Sequence, residues 1–323
     1  MLALKKEGVL KAIKYLLLSS LLLITVTPLY AAKYAGEFLS LGVGGRPIAL
    51  GGGYVAESGD VLCGYYNPAG LSMLESSQAI FMHSETFGSL LNHDFLAYAR
   101  PVGSGENRAA IAISLYRLGG GGIIVSGVDQ YGNFYKVSEE SHADYAGYIS
   151  YSRKLGQRLS AGVTGKLIYR SIINETAYGL GLDLGGLYTM SDWVDVGLNL
   201  QDITTTLLSY STGTKESIFP TAKLGLKLHS NCGRFFGSLY TDGDFRFEGR
   251  DYAAQFSTGS VSLDSHVGIE ISYLEKIAAR IGADDGNLTL GAGLRFTHFH
   301  IDAALRDHSE LDNTFLASLT ANF

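Results

Sequence analysis

The sequence is short of the features that mark soluble enzymes, nucleic-acid binders and disulfide scaffolds. Charged residues are 17% of the chain, below the roughly 25% of soluble domains. The formal net charge of −6 leaves nucleic-acid binding without electrostatic support. There are two cysteines, Cys63 and Cys232, too few and too far apart for a secreted disulfide framework, and they read as isolated small residues. Proline and methionine are scarce, at 5 and 4 residues. After the run Leu16–Val26 no second long apolar stretch occurs, so spanning helices are excluded. Any lipid-facing surface must be spread over alternating strands. A nucleotide cofactor is not expected either. Gly42-Val43-Gly44-Gly45 follows no strand and is not continued by Lys-Ser/Thr.

Against these absences stand 41 Gly and 20 Tyr, a profile expected of a barrel with aromatic girdles at two interfaces. The amino terminus has the layout of a secretory signal peptide over residues 1–31. Lys5, Lys6, Lys11 and Lys14 precede the apolar run, and Pro28 and Ala31–Ala32 follow it. At the other end, Phe315, Ala317, Leu319, Ala321 and Phe323 alternate with polar residues, giving a strand with one apolar and one wet face. An outer-membrane barrel closes with such a strand, and its terminal aromatic, here Phe323, is read by the barrel assembly machinery. A soluble sandwich edge is the alternative for this segment alone.

From Gln78 onward the chain is a string of alternating segments. Fourteen are expected: 78–87, 92–101, 109–118, 143–153, 159–171, 177–189, 193–200, 220–229, 234–246, 263–273, 276–283, 287–296, 298–306 and 314–323. The long connections 119–142, 201–219 and 247–262 all fall on one rim, and the other rim has short turns. A soluble sandwich has no reason to sort its loops this way; an outer-membrane barrel does. The expected fold is therefore all-β, a transmembrane antiparallel β-barrel of about 14 strands over residues 78–323, in the outer membrane of a Gram-negative-type bacterium and in contact with its lipid. A charge on the lipid face costs up to about 2–4 kcal/mol at mid-depth. Lys166, Arg170, Asp183, Lys223, Lys227, Glu270, Arg280, Arg295, Asp302 and Arg306 all lie on the polar faces of their strands and are expected to line the lumen. Leu96, Ile168 and Leu187 fall on otherwise polar faces and are candidate apolar lumen residues.

No catalytic site is expected. Ser84 beside His83 and His266 beside Ser265 point to opposite strand faces, and no nucleophile elbow is present. His298, His300 and Asp302 share a face, which reads as hydrated lumen wall rather than a metal site.

The segment before the barrel carries a family resemblance. Phe38 to Arg46 (F-L-S-L-G-V-G-G-R), Ala49 to Ala56 (A-L-G-G-G-Y-V-A) and Tyr65 to Leu71 (Y-Y-N-P-A-G-L) resemble the PorV/PorQ family of outer-membrane proteins, within the wider FadL-like barrel class. The Asn67-Pro68-Ala69 element is what the segment shares with long-chain fatty acid transporters. The resemblance implies an amino-terminal hatch, residues 32–77, plugging the lumen, with Arg46, Asn67, Pro68, Ala69 and Gly70 as its motif. It implies two functions. The first is type IX secretion, with secretion-system or cargo proteins as partners. The alternative is a FadL-like channel for hydrophobic small molecules such as long-chain fatty acids. Neither needs catalysis or a cofactor.

Overall fold

The computed structural model describes residues 35–323, apart from 104, 106–107, 174, 248–253 and 309–311; the signal segment 1–31 lies outside the described residues. The strands run β1 (Gln78–Thr86), β2 (Leu91–Val102), β3 (Ala109–Val128), β4 (Phe134–Lys154), β5 (Leu159–Ile172), β6 (Glu175–Ser191), β7 (Val194–Gln201), β8 (Thr206–Tyr210) and β9 (Lys215–Ile218). They continue with β10 (Thr221–Cys232), β11 (Phe235–Arg246), β12 (Phe256–Thr258), β13 (Val261–Tyr273), β14 (Ile277–Asp284), β15 (Asn287–Arg295), β16 (Phe299–Arg306) and β17 (Thr314–Asn322). β8, β9 and β12 are short additions at the long-loop rim. The other strands pair antiparallel with their neighbours in chain order, β7 joining β10 and β11 joining β13. β17 pairs with β1, from Gln78↔Asn322 to Glu85↔Phe315, and closes a 14-stranded barrel. Closure leaves no spanning strand with an unpaired edge, which a bilayer core demands.

Side-chain alternation sorts the two faces. Phe81, Leu96, Ile113, Leu115, Ile149, Leu167, Leu180, Ile269, Ile271, Ile301, Phe315 and Leu319 are exposed on the outside. Ser114, Ser150, Thr164, Lys166, Asp183, Glu270, Arg280 and Asp302 are buried inside. An outer surface of this kind is stable only in lipid, and the protein is an outer-membrane barrel. Leu96 was expected in the lumen; it is outward, because Phe95 and Ala97 hold the inward register of β2.

Two of the expected long loops are largely ordered strand. β3 and β4 run on past the barrel as a hairpin, with register shifts between Gly120 and Ile123 and between Val125 and Ser126. Gly119–Gly122, at the start of the expected long connection 119–142, is part of β3, and Gly122 takes a positive φ of 78° at the bulge. Within 201–219, β8 carries on the lane of β7 along the upper half of β6, from Ala177↔Tyr210 to Leu180↔Leu207, and β9 folds back on β8. This turns Leu208 and Ile218 into the core, while Leu207 faces outward.

Residues 35–77 contain short helical turns, Glu37–Ser40, Gly45–Ala49, Cys63–Tyr66 and Pro68–Met73, too short to hold themselves together. Their stability comes from packing inside the barrel: Val43, Ile48, Leu50, Tyr54, Leu62, Leu71 and Leu74 are all essentially inaccessible.

Candidate functional site

The hatch is seated on glycines of the wall. A Cβ on Gly185 would lie 2.2 Å from Asn67 Oδ1, and one on Gly197 would lie 2.1 Å from the Val55 carbonyl oxygen. At both places the wall lies flush against the hatch, closer than any side chain on that strand would permit.

Asn67 fastens one end of this contact. Pro68 opens the following turn and leaves Asn67 extended, at φ −160° and ψ 103°. Its Oδ1 then accepts from the Ala69 N–H (3.1 Å), while Nδ2 donates to the carbonyls of Val55 (2.7 Å) and, across to the wall, Gly186 (3.1 Å). Every polar atom of this inaccessible side chain is used within the protein. Ala69 and Gly70 are buried beside it, Ala69 offering its carbonyl to Ser72 and Ser152.

Arg46 fastens the other end. Its guanidinium makes a two-toothed contact with Glu270 of β13, Nε to Oε2 at 3.0 Å and an Nη to Oε1 at 2.9 Å. It also donates to Tyr54 and Tyr240, each at 3.0 Å, and lies 3.1 Å from Glu57. Glu57 in turn receives Lys227 at 2.7 Å and the Tyr240 hydroxyl at 2.6 Å. Arg280 bridges Glu270 and Asp302. Burial alone would raise the Glu57 carboxyl, but Lys227 and Arg46 pull it down from its ordinary value to about 2. Glu57, Tyr54 and Tyr240 were not anticipated from sequence. Each is one polar or aromatic residue in a stretch rich in them, and only the fold brings them to Arg46.

The remaining expected lumen charges are placed as follows. Lys166 sits between Asp183 (2.9 Å) and Asp202 (2.7 Å), Arg170 contacts Asp144 (2.9 Å), Lys223 contacts Asp244, and Arg306 contacts Asp284 (2.6 Å). Arg295 lies at the short-turn mouth, where it is largely exposed and 3.9 Å from Glu275. His298 is in a turn, and His300 faces Asn322. A different trio, His266, Asp284 and Asp285, brings three donor atoms within 4.8 Å. His266 Nδ1 already faces Asp284 and the Gly51 carbonyl, and Asp284 holds Arg306, so the trio belongs to the ion-pair lattice.

These charges are unevenly distributed. From β10 to β16 the lumen wall is charged on nearly every strand. Along β1, β2 and β3 the buried inward residues carry no Asp, Glu, Lys or Arg. From that stretch Phe95 and Tyr116 join Phe38 and Leu62 of the hatch in one apolar cluster with Tyr148, Ile168, Leu208 and Ile218 of the next strands, where β4 and β5 also carry Asp144, Lys166 and Arg170. Phe38 meets Tyr116 edge-on at 6.1 Å, and the Tyr116 hydroxyl donates to the Phe38 carbonyl. Leu187 is buried in the lumen as well.

The hatch separates two cavities. At the long-loop side a cavity of about 220 Å³ is lined by Leu39, Leu41, Tyr65, Tyr148, Ile218 and Phe219 together with charged residues, among them Lys166, Asp183, Lys223, Asp244 and Arg306. At the short-turn side a cavity of about 620 Å³ is lined by Arg46, Glu57, Asp60, Lys227, Glu270 and Arg280.

No family model matches the chain, and no curated protein matches it in sequence. Its fold is shared with solved transport channels. The Pseudomonas putida toluene transporter TodX is 14% identical, with a TM-score of 0.59 over 87% of this chain and 98% of its own. The Ralstonia pickettii toluene transporter TbuX is 12% identical, with a TM-score of 0.56 over 87% and 98%. A Pseudomonas aeruginosa FadL homologue is 12% identical, with a TM-score of 0.52 over 84% and 96%. The fold is thus one shared with FadL-like outer-membrane barrels. The narrower resemblance to PorV/PorQ proteins, and type IX secretion with it, is corrected by these comparisons. The structures that share the fold are hydrocarbon channels and a FadL homologue, and no family or sequence match places the chain beside secretion proteins.

Proposed function

We propose that the protein is a hatch-gated channel for apolar small molecules, working by binding and passage, with no bond made or broken. The observation that carries this reading is the uncharged β1 to β3 wall of the lumen, from which an apolar cluster extends inward. This cluster adjoins the cavity at the long-loop side and is covered by Phe38 of the hatch. Burying apolar area is worth about 25 cal/mol per Å², so an apolar molecule can replace the hatch contact without loss. A barrel meant only to be packed shut could be filled with ion pairs throughout, as β10 to β16 are. The neighbours named as toluene transporters support the same ligand class. In this reading Asn67, Pro68, Ala69 and Gly70 hold the hatch against the wall, Arg46 latches it, and the lumen charges keep the polar side rigid.

The test is binding of toluene and of a long-chain fatty acid by the protein in proteoliposomes, against protein-free vesicles. Phe38→Asp replaces the ring that meets Tyr116 and lies under Arg170 with a carboxylate, and it should weaken binding about tenfold or more. Retention of neither probe above the vesicle background would refute the channel.

A further inference from the structure

The short-turn rim carries its own charge pattern, unrelated to the lumen. Two adjacent turns, 103–108 and 155–158, with the strand ends that flank them, hold Arg100, Arg108, Arg153, Lys154 and Arg158. The sequence adds one acid there, Glu106. The other four turns and their flanks balance Arg234, Lys276 and Arg295 against Asp192, Asp195 and Glu275. A chain of net charge −6 therefore concentrates positive charge in one sector of one rim.

The register makes this sector a single patch. The Lys154 N–H donates to the Arg108 carbonyl (2.9 Å), so the two turns are joined through backbone. Arg153 lies opposite Ala109 of β3, and Arg100 shares its row with Ile111 and Tyr151. Arg158 joins the patch to β6, where its backbone carbonyl accepts from Thr189 (2.9 Å).

The patch continues the lipid-facing surface. Arg100 follows the exposed Tyr98 by two residues on β2, and Arg153 follows the exposed Tyr151 by two on β4. A period of two keeps each cation on the same outward row as its tyrosine. Leu155, Leu159 and Trp193 are exposed alongside. Tyr and Trp settle at the headgroup level of a bilayer, so cations one step beyond them meet the headgroups themselves. Guanidinium groups match phosphate oxygens in pairs, and juxtamembrane basic clusters draw anionic lipid.

We infer that this sector of β2 to β5 binds anionic phospholipid headgroups of the periplasmic leaflet, setting a lipid shell on the same side of the barrel as the apolar lumen wall. This does not depend on what the channel carries. The test uses the full-length mature protein in detergent, with phosphatidylglycerol and phosphatidylcholine of identical acyl chains added in equal amounts. Lipids retained are read by native mass spectrometry. Phosphatidylglycerol should be retained at least about fivefold over phosphatidylcholine. Combining Arg100→Gln, Arg108→Gln, Lys154→Gln and Arg158→Gln should bring the ratio close to one. The control in the other sector of the same rim, Arg234→Gln with Lys276→Gln and Arg295→Gln, should leave it unchanged. Heat-dependent gel migration confirms that each variant is a folded barrel. Equal retention of the two lipids by the unmodified protein overturns the inference without any variant. A preference that survives the first set, or is lost in the control, overturns it too.

Discussion

Arg46→Ala removes the residue that ties the hatch to two buried carboxylates, and its effect can be worked from the contacts. The guanidinium gives up two hydrogen bonds to Glu270, one each to Tyr54 and Tyr240, and an ion pair with Glu57. Breaking a buried pair by deleting one partner costs about 3–5 kcal/mol when the other charge is left uncompensated. Here Glu57 keeps Lys227 and Tyr240, and Glu270 keeps Arg280, which lowers the cost to about 2–3 kcal/mol. The loss falls on the hatch, because the barrel ladder does not pass through Arg46. At 1.36 kcal/mol per tenfold, hatch opening should become about 30- to 150-fold more frequent. Hydrogen exchange followed by mass spectrometry reads this directly. Peptides covering residues 46–62 include the Tyr54 and Val55 N–H groups, bonded to Asp242 at 2.6 and 2.8 Å. They should lose protection while peptides from β4 and β5 keep theirs. Arg46→Lys retains the charge without the fork and should fall between the two. Wild-type exchange across 46–62 in Arg46→Ala, with a barrel that still migrates as folded, would refute the latch.

Three further outcomes follow from the same geometry. Gly197→Ala places a methyl 2.1 Å from the Val55 oxygen with backbone on both sides, so the hatch must move and lose protection; Gly147→Ala meets nothing within 4 Å and should leave exchange within error. Asn67→Ala removes three hydrogen bonds and should cost the hatch about 1–3 kcal/mol, while Asn67→Asp turns a charge on the Val55 and Gly186 carbonyls and should cost more, both read by exchange across 53–72. The folded carboxyl of Glu57 is depressed from 4.5 to about 2, so its stabilisation is fully present above about pH 4.5 and is lost as pH falls toward 2; Glu57→Gln should remove this acid dependence, and an unchanged pH profile would refute the assignment.

Much of the architecture follows from local chemistry that sequence exposes. Strand alternation has a period of two, so the inward placement of Lys166, Asp183, Glu270, Arg280 and Asp302 could be read from position alone, as could the closing strand at Thr314–Asn322. Leu96 fails that reading because the register is set by the strand as a whole, and Phe95 and Ala97 outweigh one leucine. The apolar residues of 201–219 fail it for another reason. A short segment reads as loop until β6 offers an unpaired upper half for β8 to occupy.

By itself the sequence determined that this chain makes a closed, antiparallel barrel with its charges inside, because period-two patterning and the cost of charge in lipid act residue by residue. The tertiary structure alone decided what those charges do and what the hatch sits on. Arg46 finds Glu270 some 224 positions away, and Gly185 and Gly197 meet Asn67 and Val55 only after the sheet has closed around them. Such contacts depend on the curvature and register of the whole cylinder, and no local pattern carries that information.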